Sequence, residues 1–160
     1  MYGSKYSISL DEGECASAYF RAWTKLEFDW KSNSRYPIPD HWKSYRARSA
    51  VRDYKPGNRN ATDPVNAMLN YAYAVKTTQL QIEAIGQGYD PTVGIMHHGR
   101  RGSPAYALDL LEPERPKVDA ALLRFIRSHT FSGADFILAK DGVCRLLPQM
   151  TRALVATMVA

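Results

Sequence analysis

The stretch from Asp63 to Gly88 constrains the fold most, because it predicts one long helix. Thr62 or Asp63 can cap its start, and Pro64 suits the first helical position, where no backbone N–H is needed. The helix should end at about Gly86 or Gly88. Its apolar residues recur on one face, at Val65, Met68, Leu69, Ala72, Val75, Ile82 and Ile85. We therefore predict a central helix around which a single core is built.

Helical spacing of apolar residues marks four further stretches: about 9–28, from Ser103 or Pro104 onward, about 117–129, and 148–158. Pro113 and Pro116 predict a kink or break between the second and the third of these. Near the C-terminus, two strand-like runs flank Asp141-Gly142, a pair that suits a tight hairpin turn. We predict a mainly α, multi-helix domain with one small β-hairpin.

Length and composition favour one principal domain. The chain has 160 residues, of which 45% are apolar and 23% charged, enough for one compact core. We expect residues 1–8 to form an N-terminal tail and residues 9–160 to form one helical domain. Within it, residues 29–60 show no clear period, so we expect an irregular, mobile basic segment with a short helix at about residues 41–51.

Several features favour a soluble protein of the cytoplasm. No apolar run approaches the roughly 20 residues needed to cross a bilayer, and the first residues lack the pattern of a signal peptide. Cys15 and Cys144 lie too far apart for a C-x-x-C metal or redox site. A reducing compartment without membrane attachment fits these observations best.

The distribution of basic residues suggests contact with a polyanion. The formal net charge is +5, and part of it is concentrated between residues 45 and 59. That segment contains Arg46, Arg48, Arg52, Lys55 and Arg59, together with Tyr45 and Tyr54. Guanidinium groups bind phosphates and aromatic rings stack on unpaired bases, so we predict nucleic-acid contacts by Arg46, Arg48 and Arg52. A solvated helix face and loop would carry the same charges.

Four potential hard-metal ligands fall within thirty residues: Glu83, His97, Asp109 and Glu112. Carboxylates bind Mg²⁺ or Mn²⁺, and an imidazole biases such a site toward Mn²⁺. Asp109 and Glu112, three residues apart on a helix, should point to one side. Each carboxylate alone is more often a solvated surface group, and a lone histidine such as His97 is usually structural, held by hydrogen bonds in a turn. His98 could be the relevant imidazole instead of His97.

Three ordered motifs carry a resemblance: Asp63-Pro-Val-Asn-Ala-Met-Leu-Asn-Tyr-Ala-Tyr73, Gly94-Ile-Met-His97-His98 and Asp109-Leu-Leu-Glu112-Pro-Glu-Arg115-Pro. From about residue 9 onward the chain resembles the helical catalytic domain of the CRISPR-associated endonuclease and integrase that inserts new spacers into CRISPR arrays. The resemblance implies that Glu83, His97 and Glu112 bind a divalent metal and that Asp109 assists them. Arg115 matches an arginine of that family, and Arg100, Arg101 and Arg115 are candidates for phosphate contacts by position and charge.

The resemblance also implies a reaction and partners. The expected chemistry is transesterification or hydrolysis of a DNA phosphodiester with Mn²⁺ or Mg²⁺. The expected partners are DNA, a second copy in a homodimer and the small ferredoxin-like subunit of CRISPR adaptation. Members of this family usually begin with a β-sheet domain, which nothing before Ser9 could supply. Ala72 stands where the family mostly has glycine, and Glu114 replaces the usual phenylalanine.

Two other interpretations stay open. A DNA-binding module of the same fold could have lost catalysis, since Glu114 adds a negative charge beside the metal pair. Alternatively, the domain could be purely structural. In that case Glu83, His97 and Glu112 should lie more than about 10 Å apart, too far to share one ion.

Overall fold

The structure, a computed structural model, describes residues 14–31, 35–48, 60–97 and 102–159. The prediction of a mainly α fold is confirmed. Within these ranges four helices dominate: α1 over residues 14–22, α2 Pro64–Gly86, α3 Ala105–Ser128 and α4 Pro148–Val159. The same described residues include four short strands in two small sheets: β1 Asp29–Trp30, β2 Thr130–Phe131, β3 Phe136–Leu138 and β4 Cys144–Leu146.

Helix α2 begins as predicted, with Asp63 as its cap. The Asp63 carboxylate accepts a hydrogen bond of 2.9 Å from the backbone N–H of Asn66, and Pro64 occupies the first turn. In the first half of α2 the predicted core residues are buried, including Met68 and Leu69.

In the second half of α2, the predicted apolar face is wrong. The exposed fractions are 65% for Ile82 and 56% for Ile85, whereas Leu80 and Ala84 are buried. The reason is the position of α3, because Leu80 packs with Leu111 from that helix. The face that α3 covers is therefore rotated from the one that apolar periodicity indicates.

Helix α3 is continuous through Pro113 and Pro116, so the predicted break is wrong. Both prolines are exposed, while the opposite side of α3 packs against α2 more extensively than any other described pair of elements packs together. That packing stabilises the helix across both positions. Neither proline can donate an N–H to the carbonyl four residues earlier, and these carbonyls belong to Asp109 and Glu112.

Helices α2 and α3 run antiparallel. Going down α2, Tyr73 contacts Asp119, Lys76 contacts Glu114, and Leu80 packs with Leu111. This register brings the last turns of α2 beside the first half of α3. The loop of residues 87–97 also leads into this end of the helix pair, so all four predicted ligands lie there.

The segment before α2 differs from the predicted helix at residues 41–51. Only Asp40–Trp42 form a single 3-10 turn, residues 43–48 are irregular, and residues 49–51 lie outside the described ranges. Side-chain anchors explain the irregular path: Trp42 Nε1 donates to the carbonyl of Thr62 at 3.1 Å, and Tyr45 is only 2% exposed. Because Tyr45 is buried, it cannot serve as an open stacking surface.

The remaining elements follow the predictions, except that α1 ends earlier than predicted. Helix α1 tightens into a 3-10 turn at Trp23–Lys25, and the chain is extended from Leu26 instead of helical to residue 28. The hairpin of β3 and β4 is antiparallel, with Gly142 at φ 80° in its turn. An additional parallel pairing of β1 with β2 was not predicted. No helix in the described ranges has both the length and the apolarity to cross a bilayer.

Candidate active site

Asp109 organises the loop that precedes α3. One oxygen, Oδ2, accepts hydrogen bonds from the backbone N–H groups of Ile95 and of Met96, the latter at 3.0 Å. The other, Oδ1, accepts from the backbone N–H of His97 at 3.0 Å. A single carboxylate on the helix thereby fixes three successive peptide groups of the loop.

The same carboxylate orients the His97 ring. His97 Nδ1 lies 2.6 Å from Asp109 Oδ1, so we assign the ring proton to Nδ1. The lone pair is then on Nε2, which lies 3.8 Å from Glu112 Oε1. A histidine whose second nitrogen is held by a carboxylate is the arrangement that metal-binding histidines use.

Asp109 remains ionised in this environment. Burial acts to raise its pKa, because the side chain is only 10% exposed. Hydrogen bonds from the Met96 N–H, the His97 ring and the other two loop N–H groups outweigh burial and hold the pKa of Asp109 well below its usual range. The loop is therefore held by an anion at physiological pH.

Gly94 permits the close approach of this loop to α3. A Cβ atom at position 94 would lie 2.8 Å from Ala105 Cβ and 2.7 Å from the carbonyl oxygen of His97. Contacts this short require displacement of the backbone. The glycine of the Gly-Ile-Met-His motif therefore has a steric role at the start of α3.

Glu112 is paired with a cation on its own helix. Its Oε2 lies 3.0 Å from Arg115 Nε, although the N–H is not directed well enough for a hydrogen bond. The guanidinium carbon of Arg115 lies 5.1 Å from the centre of the Tyr73 ring. Arg115 is thus within reach of the site, and its predicted contact with a phosphate stays a prediction.

The extra negative charge at Glu114 is neutralised by lysines. Its Oε1 lies 2.6 Å from Lys117 Nζ, and its Oε2 lies 3.3 Å from Lys76 Nζ. Hydrogen bonds from Lys117 and then from Lys76 lower the pKa of Glu114. Lys76 is not predicted from the sequence, because its contact with Glu114 depends on α2 running beside α3.

The structure brings together His97, Asp109 and Glu112 but shows no contact between Glu83 and these residues. Glu83 is exposed on α2, and the helix register puts it level with about Leu108. In the described ranges, no three His, Cys, Asp or Glu side chains form a ready-made metal site. The roles of Glu83 and of the whole ligand set therefore stay predictions.

A buried carboxylate lies deeper in the helix pair and was not predicted. Asp119 is 3% exposed and accepts hydrogen bonds from Tyr73 Oη at 2.5 Å and from Tyr19 Oη at 3.0 Å. Burial raises the pKa of Asp119, and it raises the pKa of Tyr19 to about 12 with help from Asp119. The available sequence signal was an aspartate between Val118 and Ala120 on a helix with otherwise apolar spacing.

Apart from Arg115, the predicted nucleic-acid residues fall into three groups. Arg48 donates to Asn66 Oδ1 at 3.1 Å and to Asn70 Oδ1 at 3.0 Å, so its guanidinium also supports the start of α2. Arg46 is exposed beside a groove of about 410 Å³ that Arg21 also lines. Arg52, Arg100 and Arg101 lie outside the described residues, as does His98.

Known proteins are similar to this chain in sequence and in fold. A CRISPR-associated exonuclease Cas4/endonuclease Cas1 fusion of Rhodospirillum rubrum is 34% identical over 146 residues, which cover 91% of this chain and 23% of that protein. A CRISPR-associated endonuclease Cas1 of Methanospirillum hungatei is 34% identical over 140 residues, covering 83% of this chain and 34% of that protein.

A solved structure, a casposase bound to its integration product, aligns with a TM-score of 0.74 and 26% identity. The alignment covers 95% of this chain and 38% of that chain, so the chain spans well under half the length of each of these three proteins. Residues 7–159 match the family described as CRISPR associated protein Cas1. The chain therefore belongs to the Cas1 family.

Proposed function

We propose that this chain is a divalent-metal-dependent DNA endonuclease and integrase of CRISPR spacer acquisition. The reaction is transesterification or hydrolysis of a DNA phosphodiester. One observation carries the proposal: Asp109 holds the His97 ring so that Nε2 faces Glu112 Oε1 at 3.8 Å. A histidine nitrogen and a carboxylate oxygen at this separation suit one ion.

The donor set fits Mn²⁺ or Mg²⁺. Two ligand atoms with bonds of about 2.1 Å to the same ion lie no more than about 4.2 Å apart, and the pair of His97 and Glu112 meets this limit. Oxygen ligands suit both ions, and the imidazole favours Mn²⁺. Glu83 is the proposed third ligand. Its position near the end of α2, beside the first turns of α3, supports this role.

When bound, the ion would activate an attacking hydroxyl and neutralise charge on the phosphate. Residues of the chain orient the ligands and bind the phosphate. Asp109 keeps the proton on His97 Nδ1 and leaves Nε2 free. Arg115 binds the phosphate from the side of Glu112, and Arg100 and Arg101, which closely follow His97 in sequence, add positive charge.

The proposed partners follow the relatives. The similarity to a casposase bound to its integration product supports DNA as the substrate and integration as the reaction. A homodimer, the small ferredoxin-like subunit and a location in the cytoplasm are proposed from the family resemblance.

The test compares strand transfer by the wild type, His97→Ala and Glu112→Gln. A short duplex with free 3′ ends and a supercoiled plasmid are incubated with Mn²⁺ or with EDTA. We expect products only with wild type and Mn²⁺, while fluorescence anisotropy shows that both variants still bind the duplex. Equal transfer by wild type and His97→Ala would remove the catalytic assignment.

A second candidate is a DNA-binding domain without catalysis. The pairing of Glu112 with Arg115 favours it, because that carboxylate already has a cationic partner. It predicts no Mn²⁺ binding by calorimetry at millimolar concentration. It also predicts unchanged, salt-sensitive DNA binding when Glu83, His97 and Glu112 are all replaced.

A further inference from the structure

A continuous row of contacts connects the buried interior with the candidate site. It begins at Asp119, whose two oxygens accept hydrogen bonds from Tyr73 and Tyr19 on two different helices. Burying a carboxylate is costly unless its oxygens are satisfied, so these bonds fix both tyrosine side chains. Tyr73 is therefore held by its hydroxyl at one end of the ring.

The face of the Tyr73 ring supports Arg115. The guanidinium carbon lies 5.1 Å from the ring centroid, within the range of a cation–π interaction. Arg115 is on α3 and Tyr73 is on α2, so this contact bridges the two helices. Without it, the arginine side chain would be free to sample several rotamers.

Arg115 in turn touches the candidate ligand Glu112, with Nε 3.0 Å from Oε2. The arginine side chain is 42% exposed, so the part of the guanidinium that does not face Glu112 can reach a bound phosphate. A guanidinium held on one face by a ring is preorganised for a planar, two-point contact with phosphate.

We propose that Tyr73, anchored by Asp119, is a positioning residue that fixes the Arg115 guanidinium between Glu112 and the phosphate of bound DNA. Among the described interactions, the Tyr73 side chain makes a hydrogen bond to Asp119 and a cation–π contact with Arg115, and no hydrogen bond to a candidate metal ligand, so it acts through Arg115. This inference rests on the proposed function for its substrate.

The test uses a double-mutant cycle on the full chain. Tyr73→Leu removes the ring, Arg115→Gln removes the cation, and the double variant removes both. Tyr73→Phe keeps the ring and loses only the hydroxyl. The matched control is Tyr19→Phe, which removes the other hydrogen bond to Asp119 without touching Arg115.

Two quantities are measured: kcat/KM for strand transfer with Mn²⁺, and the slope of log K for DNA binding against log salt concentration. We expect Tyr73→Leu to lower kcat/KM about 3- to 30-fold, the range that a cation–π contact supports. Arg115→Gln and Tyr73→Leu should both make the salt slope less negative, by up to about 0.9 for the loss of one phosphate contact. In the Arg115→Gln background, Tyr73→Leu should cause no further change in kcat/KM or in the salt slope.

Tyr73→Phe should show a smaller loss than Tyr73→Leu, and Tyr19→Phe should keep the wild-type slope even where its melting temperature falls. Equal effects of Tyr73→Leu with and without Arg115 would overturn the proposal, as would a wild-type slope in Tyr73→Leu. A wild type that binds DNA but transfers no strands would contradict the proposed function. The salt slopes would still test whether Tyr73 positions Arg115 for a phosphate contact. A wild type that binds no DNA overturns both.

Discussion

At the scale of single residues, Asp109 has the greatest influence on the candidate site. Replacing it with asparagine places an amide NH₂ against N–H donors, either those of Ile95 and Met96 or those of His97. The loop would shift and the His97 ring would lose its orientation. We predict that Asp109→Asn weakens Mn²⁺ binding about 10- to 100-fold, measured by calorimetry.

Asp90 provides the control for this prediction. Its carboxylate also organises the loop, since Oδ1 accepts from the Thr92 backbone N–H at 2.9 Å and from Thr92 Oγ1 at 2.7 Å. It makes no contact with His97 among the described interactions. Asp90→Asn should therefore leave Mn²⁺ affinity near that of the wild type. An equal loss in both variants would mean that general loop order, and not Asp109, sets the affinity.

Two of the carboxylates on α3, those of Asp109 and Asp119, predict opposite responses to pH. The pKa of Asp109 is lowered, so its stabilisation is present above the unfolded pKa of about 3.9 and is lost as pH falls toward the folded value. The pKa of Asp119 is raised, by burial first, so its stabilisation is present below about pH 3.9 and is lost as pH rises through the folded value.

Urea unfolding from about pH 3 to about pH 7 tests the two signs. The difference in unfolding free energy between wild type and Asp109→Asn should grow as pH rises. The difference between wild type and Asp119→Asn should shrink over the same range. Parallel trends in the two series would show that one of the two assigned pKa directions is incorrect.

At the scale of elements, local signals predicted helix starts better than helix faces. Asp63 and Pro64 specify the start of α2 through a hydrogen bond and a fixed φ, which are both local. Which side of α2 is covered depends on where α3 packs, so Ile82 was assigned to the core and is exposed. Pro113 predicts a break from local chemistry alone. The helix continues because it is stabilised by contacts with α2, which is distant in sequence.

Pro113 gives a testable consequence of this packing. Alanine at position 113 would restore an N–H to the Asp109 carbonyl and remove a ring clash, so the free energy of unfolding should rise by about 1–2 kcal/mol. The melting temperature should increase by a few degrees. Pro148→Ala is the matched control, because proline at the first position of α4 costs no hydrogen bond and its replacement should not stabilise the chain.

At the scale of the whole molecule, the sequence predicted which residues share a helix side but not which helices share a site. The spacing of Asp109 and Glu112 was sufficient to place them together. The positions of Lys76 and Tyr73 beside α3 depend on the antiparallel register of two helices, which no local pattern encodes. Arg48 shows the same limit, since its bonds to Asn66 and Asn70 close a loop of about twenty residues.

The net charge of +5 favours DNA binding, and the positions of the arginines predict where DNA lies on the molecule. Arg46 and Arg21 line one groove, whereas Arg124 is exposed on the last turns of α3 and does not line that groove. If the backbone of DNA follows the groove, Arg46→Gln should reduce the slope of log K against log salt by about 0.9. Arg124→Gln removes the same charge and should leave the slope unchanged, because a cation outside the groove does not neutralise a phosphate of DNA that lies in it. Equal slopes for Arg46→Gln and wild type would place the DNA elsewhere.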